Sequence, residues 1–195
     1  MPRNPERDQQ LREERRRQIL DAAARLFARQ GMLSKISDIA AEAGLSHGHV
    51  YNYFKSKEEI LLAVIELGQL RYGAILRTAI GMEGTAADKF RCVARMALPK
   101  ERSADIYLVL LQALFTDQLN DEEKQVIRER AGVNRGLLMT LIEEGQRDGT
   151  VLQGDPVQLA SLFGTLIQNL MLLEMRGHPP ADETTIDLLL QMIGP

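Results

Sequence analysis

Tryptophan is absent from this chain, cysteine occurs once, and aromatic residues supply only 5% of it. The single thiol, Cys92, excludes an intramolecular disulfide, as a reducing compartment would require. On a helix, Cys92 reads as a small apolar residue rather than a redox switch. No apolar run approaches the roughly 18 residues of a transmembrane helix. The segment Met1–Arg17 is polar and has no apolar core of a signal peptide. These absences lead to the expectation of a cytoplasmic protein with no membrane partner. The common catalytic signatures are missing too: there is no G-x-S-x-G, H-E-x-x-H, P-loop or C-x-x-C. The histidines are His47, His49 and His178. The first two stand at i and i+2, which does not turn both to one helix face for a metal. The expectation is no enzyme, no cofactor and no metal.

What is present is helix-forming. Hydrophobic residues make up 45% of the 195 residues, so the chain can bury a sizeable core. Ala, Leu, Glu, Arg and Gln dominate, and no run of alternating β-branched residues suggests a sheet. Net charge is −3 but unevenly spread: residues 1–60 hold 11 Lys and Arg against 9 Asp and Glu, and the remainder 13 against 18. A mildly basic front on an acidic body suits an N-terminal contact with phosphate.

Periodicity predicts about nine helices and an all-α fold. Residues 1–11 read as a flexible arm, 12–56 as a small three-helix domain and 57–195 as a larger helical body. Ile19, Ala22, Ala23, Leu26 and Phe27 form one apolar stripe on the first helix, which Gly31 ends. Two short helices follow, at about Lys35–Ala43 and His47–Tyr53, with Ser34 and Ser46 as their N-caps. Ser56 and Glu59 read as a capping box that launches a long helix to about Ile80. Five more are expected at about Thr85–Ala97, Ser103–Gln118, Asp121–Arg147, Asp155–Arg176 and Asp182–Ile193.

The stretch from Ile36 to Lys57 carries the chemistry. Gly44 supplies a turn between two short helices, and Ala40 and Ala43 let them approach closely. Leu45, Val50 and Phe54 pin the second helix onto the first: a helix-turn-helix. With Val50 and Phe54 inward, the opposite face carries His47, Gly48, His49, Tyr51, Asn52 and Tyr53. Such hydrogen-bonding groups near a helix start can reach base edges in the major groove of double-stranded DNA. Asn52 suits adenine, the histidines guanine or phosphate, and the two tyrosines phosphate oxygens. Ser34, Lys35, Ser37, Ser46, Lys55 and Lys57 are candidate backbone contacts, Lys57 as a clamp at a helix start. Arg16, among Arg12, Arg15 and Arg17, adds a phosphate contact or belongs to a solvated charged face.

Residues Asp38-Ile39-Ala40-Ala41-Glu42-Ala43-Gly44-Leu45-Ser46-His47-Gly48-His49-Val50-Tyr51-Asn52-Tyr53-Phe54-Lys55-Ser56-Lys57-Glu58 resemble the DNA-binding domain of the TetR family, the tetracycline-repressor-like regulators. The resemblance covers about residues 12–66. Met32 stands where the family has an aromatic, and Lys35 near where it favours Thr or Ser. His47 and His49 replace the family's more usual residues on the reading face.

A single recognition helix specifies little, so a homodimer is expected, with its two reading helices about one DNA turn apart. The candidate dimer surface is Leu159, Leu162, Phe163, Leu166 and Leu170 with Leu189; the alternative is that these fill the subunit's own core. The resemblance further implies a ligand cavity in the body. Met96, Tyr107, Gln112, Phe115, Met139, Gln168 and Asn169 are candidate lining residues, or satisfied core and interface groups. The expected function is a DNA-binding transcriptional regulator, a ligand-responsive repressor that holds a palindromic operator and is released by a small organic effector. The alternative is a DNA-binding dimer acting as an architectural or activator protein without an effector.

Overall fold

A computed structural model describes residues 5–98, 101–115, 117 and 119–194, without the side chains of residues 5 and 101–103. The described residues form nine α-helices and no strand. They are α1 (Pro5–Gln30), α2 (Ile36–Glu42), α3 (His47–Tyr51), α4 (Lys57–Gly81), α5 (Ala86–Ala97), α6 (Glu101–Phe115), α7 (Asp121–Asp148), α8 (Pro156–Leu170) and α9 (Glu183–Ile193). The all-α expectation holds. The chain divides into two compact units: residues up to Leu67 with Asp105–Lys124, and Gly68–Ala104 with the chain from Gln125 onward.

In the first unit, α1 begins at Pro5 rather than near Leu11. The segment from Pro5, read as part of an arm, is therefore helical; residues 1–4 of that arm lie outside the described residues. Pro5 occupies the first helical position, and Glu6 and Asp8 complement the dipole in the first turn. Gln9 donates to Glu13 one turn on, at 2.7 Å. Four of the five residues of the α1 stripe are buried, Ile19, Ala22, Ala23 and Phe27 at no more than 1% exposure, and Leu26 is half-buried. Ile39, Ala40, Val50, Phe54, Ile60 and Val64 complete the buried set of the region. Arg25 on α1 and Glu42 on α2 add an ion pair at 2.8 Å. Half-exposed as it is, that pair contributes at most about 1 kcal/mol.

In the second unit, Phe90 and Phe163 meet edge to face at 4.6 Å, at the centre of a cluster that includes Leu76, Leu138, Leu141, Ile142 and Ile167. Gly145 of α7 allows the tightest approach. A methyl there would stand 2.9 Å from Ala86 Cβ, and closer still to Val151. The helix starts follow their caps. Thr85 and Asp88 cap α5 reciprocally, Asn120 and Glu123 do so for α7, and Asp155 caps α8 ahead of Pro156.

Helix α8 stops at Leu170, short of the predicted Arg176. The chain tightens there into i to i−3 bonds, Leu172 N–H to Asn169 and Leu173 N–H to Leu170. This change of pitch leaves Leu172 buried. No Gly or Pro marks the point, so the apolar run concealed it. The described part of α6 ends at Phe115, with residues 116 and 118 of its predicted end outside the described set.

Candidate nucleic-acid interface

The α2–turn–α3 segment is built by local hydrogen bonds. Lys35 is the N-cap residue of α2, not Ser34, and its backbone N–H donates to the Asp38 carboxylate at 2.9 Å. Gly44 takes the left-handed conformation at φ +66°, where a side chain would be strained. Leu45 N–H then reaches back to the Ala40 carbonyl at 2.9 Å and closes the turn. Ser46 caps α3 as predicted, its hydroxyl accepting from His49 N–H at 3.3 Å.

Helix α3 has only five residues, yet its inward row is complete: Val50 is 0% and Phe54 just beyond it 1% exposed. The other face is open. Ser46, His47, Gly48, His49, Tyr51 and Asn52 are exposed and Tyr53 half-buried. The rings pair at i and i+4. His47 meets Tyr51 edge-on at 5.0 Å, and His49 stacks on Tyr53 at 6.1 Å with 12° between planes. Sequence reading treated these four as separate contacts; the helical spacing joins them into two pairs.

Helix α1 braces the same surface. The Arg16 guanidinium lies 5.2 Å from the centre of Phe54, and that of Arg12 lies 5.9 Å from Tyr53. Lys35, Ser37 and Lys55 are exposed. Two residues before Lys35, Leu33 is 88% exposed, which periodicity gave no reason to single out.

Two predicted contacts are placed otherwise. Ser34 is fully buried, and its hydroxyl donates to the Gly31 carbonyl at 3.0 Å. It holds the 3-10 turn Gly31–Leu33 and has no outward face for phosphate. Lys57 is half-buried, and its ammonium donates to the Met32 carbonyl. The lysine thus ties the start of α4 to the chain before α2. Glu59 is also redirected. Its N–H donates to Ser56 Oγ at 3.1 Å, but its carboxylate accepts from Lys55 N–H, so the capping box is only half formed.

In the second unit, the predicted dimer residues separate into two rows. Leu159, Phe163 and Leu189 are buried in the core of the second unit and are corrected to core residues. Leu162 is 60% exposed and Leu188 57%, with Leu166 and Leu170 half-buried. Met192, at 63%, joins the exposed row. Spacing alone could not divide the rows, because α8 is apolar on more than one face.

The candidate cavity residues divide as well. Met96 and Met139 pack against the core cluster, and Gln168 is half-buried. Asn169 is satisfied locally, donating to Thr165 and accepting from Arg176. Tyr107 and Gln112 are half-buried in the first unit. Phe115 is 85% exposed. An open cleft of about 590 Å³ is lined instead by Gly84, Thr85, Asp88, Glu144, Arg147 and Asp148. Its carboxylates already have partners. Asp88 accepts from Thr85, Asp148 accepts from Thr150 and Ala86, and Glu144 pairs with the buried Lys89 at 2.6 Å. The Thr85 and Thr150 bonds hold the Asp88 and Asp148 carboxyls below the usual range.

Among the described residues, two buried polar atoms on α4 have no hydrogen-bond partner: Gln69 Oε1 and the Tyr72 hydroxyl. Each such atom costs about 1–3 kcal/mol if left so. Sequence reading passed over both, although each is a polar residue within a largely apolar helix. Among the described residues, no cluster of three or more His, Cys, Asp or Glu could hold a metal ion, and no helix is long and apolar enough to cross a membrane.

Residues 19–64 match the family described as bacterial regulatory proteins, tetR family. The chain is 32% identical over 155 residues to the fatty acid metabolism regulator protein of Bacillus subtilis (strain 168), covering 76% of this chain and 78% of that one. It is 27% identical over 182 residues to the HTH-type transcriptional repressor KstR2 of Rhodococcus jostii (strain RHA1), covering 89% and 84%. Among solved structures, AibR in complex with isovaleryl coenzyme A and operator DNA aligns with a TM-score of 0.73 at 19% identity, over 93% of this chain and 98% of that one.

Proposed function

The chain belongs to the tetR family of bacterial regulatory proteins, and on that premise we propose that it is a repressor which grips a palindromic operator as a homodimer and leaves it when a small organic effector binds. It is a DNA-binding transcription regulator and not an enzyme. The observation that carries the docking is the division of α3. Val50 and Phe54 are buried, while His47, Gly48, His49, Tyr51 and Asn52 face solvent. A helix wet on that face has no structural need of so many aromatic and amide groups, whereas base edges and phosphates do. Exposed Lys35, Ser37 and Lys55 flank it as phosphate contacts. The DNA-binding head is residues 12–56 and the dimerising, effector-binding body 57–195.

The exposed row of Leu162, Leu188 and Met192 supports pairing through α8 and α9 of two copies, and two-fold pairing calls for a palindrome. Release needs only an effector that prefers the DNA-incompetent arrangement by a few kcal/mol. Repression is favoured by the KstR2 relative, which is named a repressor, and an acyl-thioester class of effector by AibR. Such a protein works in the cytoplasm, where the DNA is.

Selection of duplexes from a random pool by the purified chain tests the reading, followed by titration at several salt concentrations. A palindromic site whose affinity falls steeply with salt supports it. No binding to any duplex at low salt sinks it.

A further inference from the structure

Two of the chain's three histidines fall within one three-residue stretch, and the fold sets both on the open face of α3. Each is held by a ring one turn on. His47 meets Tyr51 edge-on at 5.0 Å, and His49 stacks on Tyr53 with 12° between planes. An imidazole ordinarily loses its proton near pH 6.5, so both side chains change charge close to neutrality. On the DNA-binding reading, this face meets a polyanion with about one negative charge per 1.7 Å of duplex axis.

The charged groups around α3 leave the imidazoles without an anion of their own. From α1, the Arg12 guanidinium approaches Tyr53 and that of Arg16 approaches Phe54. Of the α2 carboxylates, Glu42 is paired with Arg25 at 2.8 Å, and Asp38 accepts from Lys35 N–H at 2.9 Å. Beyond α3, Lys55 is exposed, Lys57 is tied to the Met32 carbonyl, and Glu59 accepts from Lys55 N–H. Glu58 is half-buried in the first turn of α4. Among the described residues, no carboxylate is paired with His47 or His49. The negative charge that would stabilise an imidazolium here has to come from a bound molecule.

We propose that this head takes up protons when it binds DNA, His47 and His49 becoming cations against the duplex, so that its grip tightens as pH falls from 8 to 6. The inference rests on the DNA-binding reading above. Protonation makes each imidazole a donor on both nitrogens. The groups it meets, phosphate oxygens or the N7 and O6 of guanine, are acceptors only. Nearby phosphate favours the charged form, so the proton is held to a higher pH on DNA than off it. The added affinity is therefore fully present below the ordinary imidazole value of about 6.5, and is lost as pH rises through the raised, DNA-bound value. Carboxylates titrate below this window, and lysines and tyrosines above it.

Titrations of the full chain with its selected duplex at pH 8 and pH 6, at fixed ionic strength, test this. Affinity is expected to rise at least about ten-fold toward pH 6. The salt slope should steepen by about 1 for each imidazolium set on a phosphate. Calorimetry at pH 7 in phosphate and in Tris, buffers with different heats of ionisation, is expected to show net proton uptake on binding. His47→Gln and His49→Gln together should flatten the pH response, whatever they do to affinity at pH 8. His178→Gln, at an exposed position outside α3, should keep it. An equal gain on all duplexes supports the proposal with phosphate as the acceptor, and a gain confined to one G·C pair supports it with guanine. The inference is overturned if affinity is unchanged or falls toward pH 6, if no proton is taken up, or if the double variant keeps the full response. No binding to any duplex at either pH overturns the DNA-binding reading and the inference with it, whereas pH-independent binding overturns the inference alone.

Discussion

The imidazole of His49 lies nearly parallel to the ring of Tyr53, with centroids 6.1 Å apart, and the Arg12 guanidinium approaches the same tyrosine at 5.9 Å. Tyr53 is thus positioned by both α1 and α3 before any DNA arrives. Tyr53→Phe keeps the ring contacts and removes only the hydroxyl. It should weaken binding about three- to ten-fold on every duplex, with base preference unchanged. His49→Ala removes a candidate base contact and should also relax preference at one base pair. Anisotropy titrations on the selected site and its single-base variants read both effects. Equal losses on all duplexes for His49→Ala would remove it from the base-reading set.

Lys55 and Lys57 stand two residues apart and should behave differently. Lys55 is exposed, so Lys55→Ala should cost affinity and reduce the salt slope by about 1, with the melting temperature unchanged. Lys57 is bonded to the Met32 carbonyl, so Lys57→Ala should destabilise the fold by about 1–2 kcal/mol as well. Urea unfolding curves beside the titrations separate the two.

Ser34→Ala should be a stability variant only. It removes the bond to Gly31 and should cost about 1 kcal/mol, with the DNA affinity of the folded protein unchanged. A selective loss of affinity at unchanged stability would return Ser34 to the phosphate contacts.

The adjacent pair Leu162 and Phe163 separates assembly from folding. Leu162→Glu should yield a folded monomer by sedimentation, since its side chain is outside the core. Phe163→Ala should cost about 3–5 kcal/mol through the cavity it leaves. A dimeric Leu162→Glu variant would move the pairing surface elsewhere.

Asp148 gives a pH dependence of known sign. Its carboxyl is depressed mainly by the Thr150 hydroxyl bond and next by Ala86 N–H. The stabilisation is therefore complete above the ordinary carboxylate value of about 4 and lost as pH falls through the lowered value. Asp148→Asn should melt lower at neutral pH, and the gap to the parent should close in acid. A gap independent of pH would assign the effect to packing.

The helical architecture was legible because caps and stripes are local. Ser46, Thr85–Asp88, Asn120 and Asp155-Pro156 mark starts that the structure reproduces. The inward row of α3 was legible for the same reason. What escaped was tertiary. Ser34 and Lys57 look like surface contacts until the 3-10 turn folds back and supplies carbonyl partners. The Gln69 amide finds its partner, the Ile127 carbonyl, only when α7 packs on α4. The two apolar rows of α8 required knowing which side α9 and the core occupy.

Those two rows have a mechanical consequence. Leu162 and Phe163 are consecutive residues of one hydrogen-bonded helix, the first facing out and the second sealed in. A helix of about 10 Å diameter is stiff across its width, so it transmits a push from the inside to the outside with little give. A rearrangement that shifts the α8 backbone at Phe163 carries Leu162 with it. The outer surface of α8 is the back of the same wall that the interior leans on.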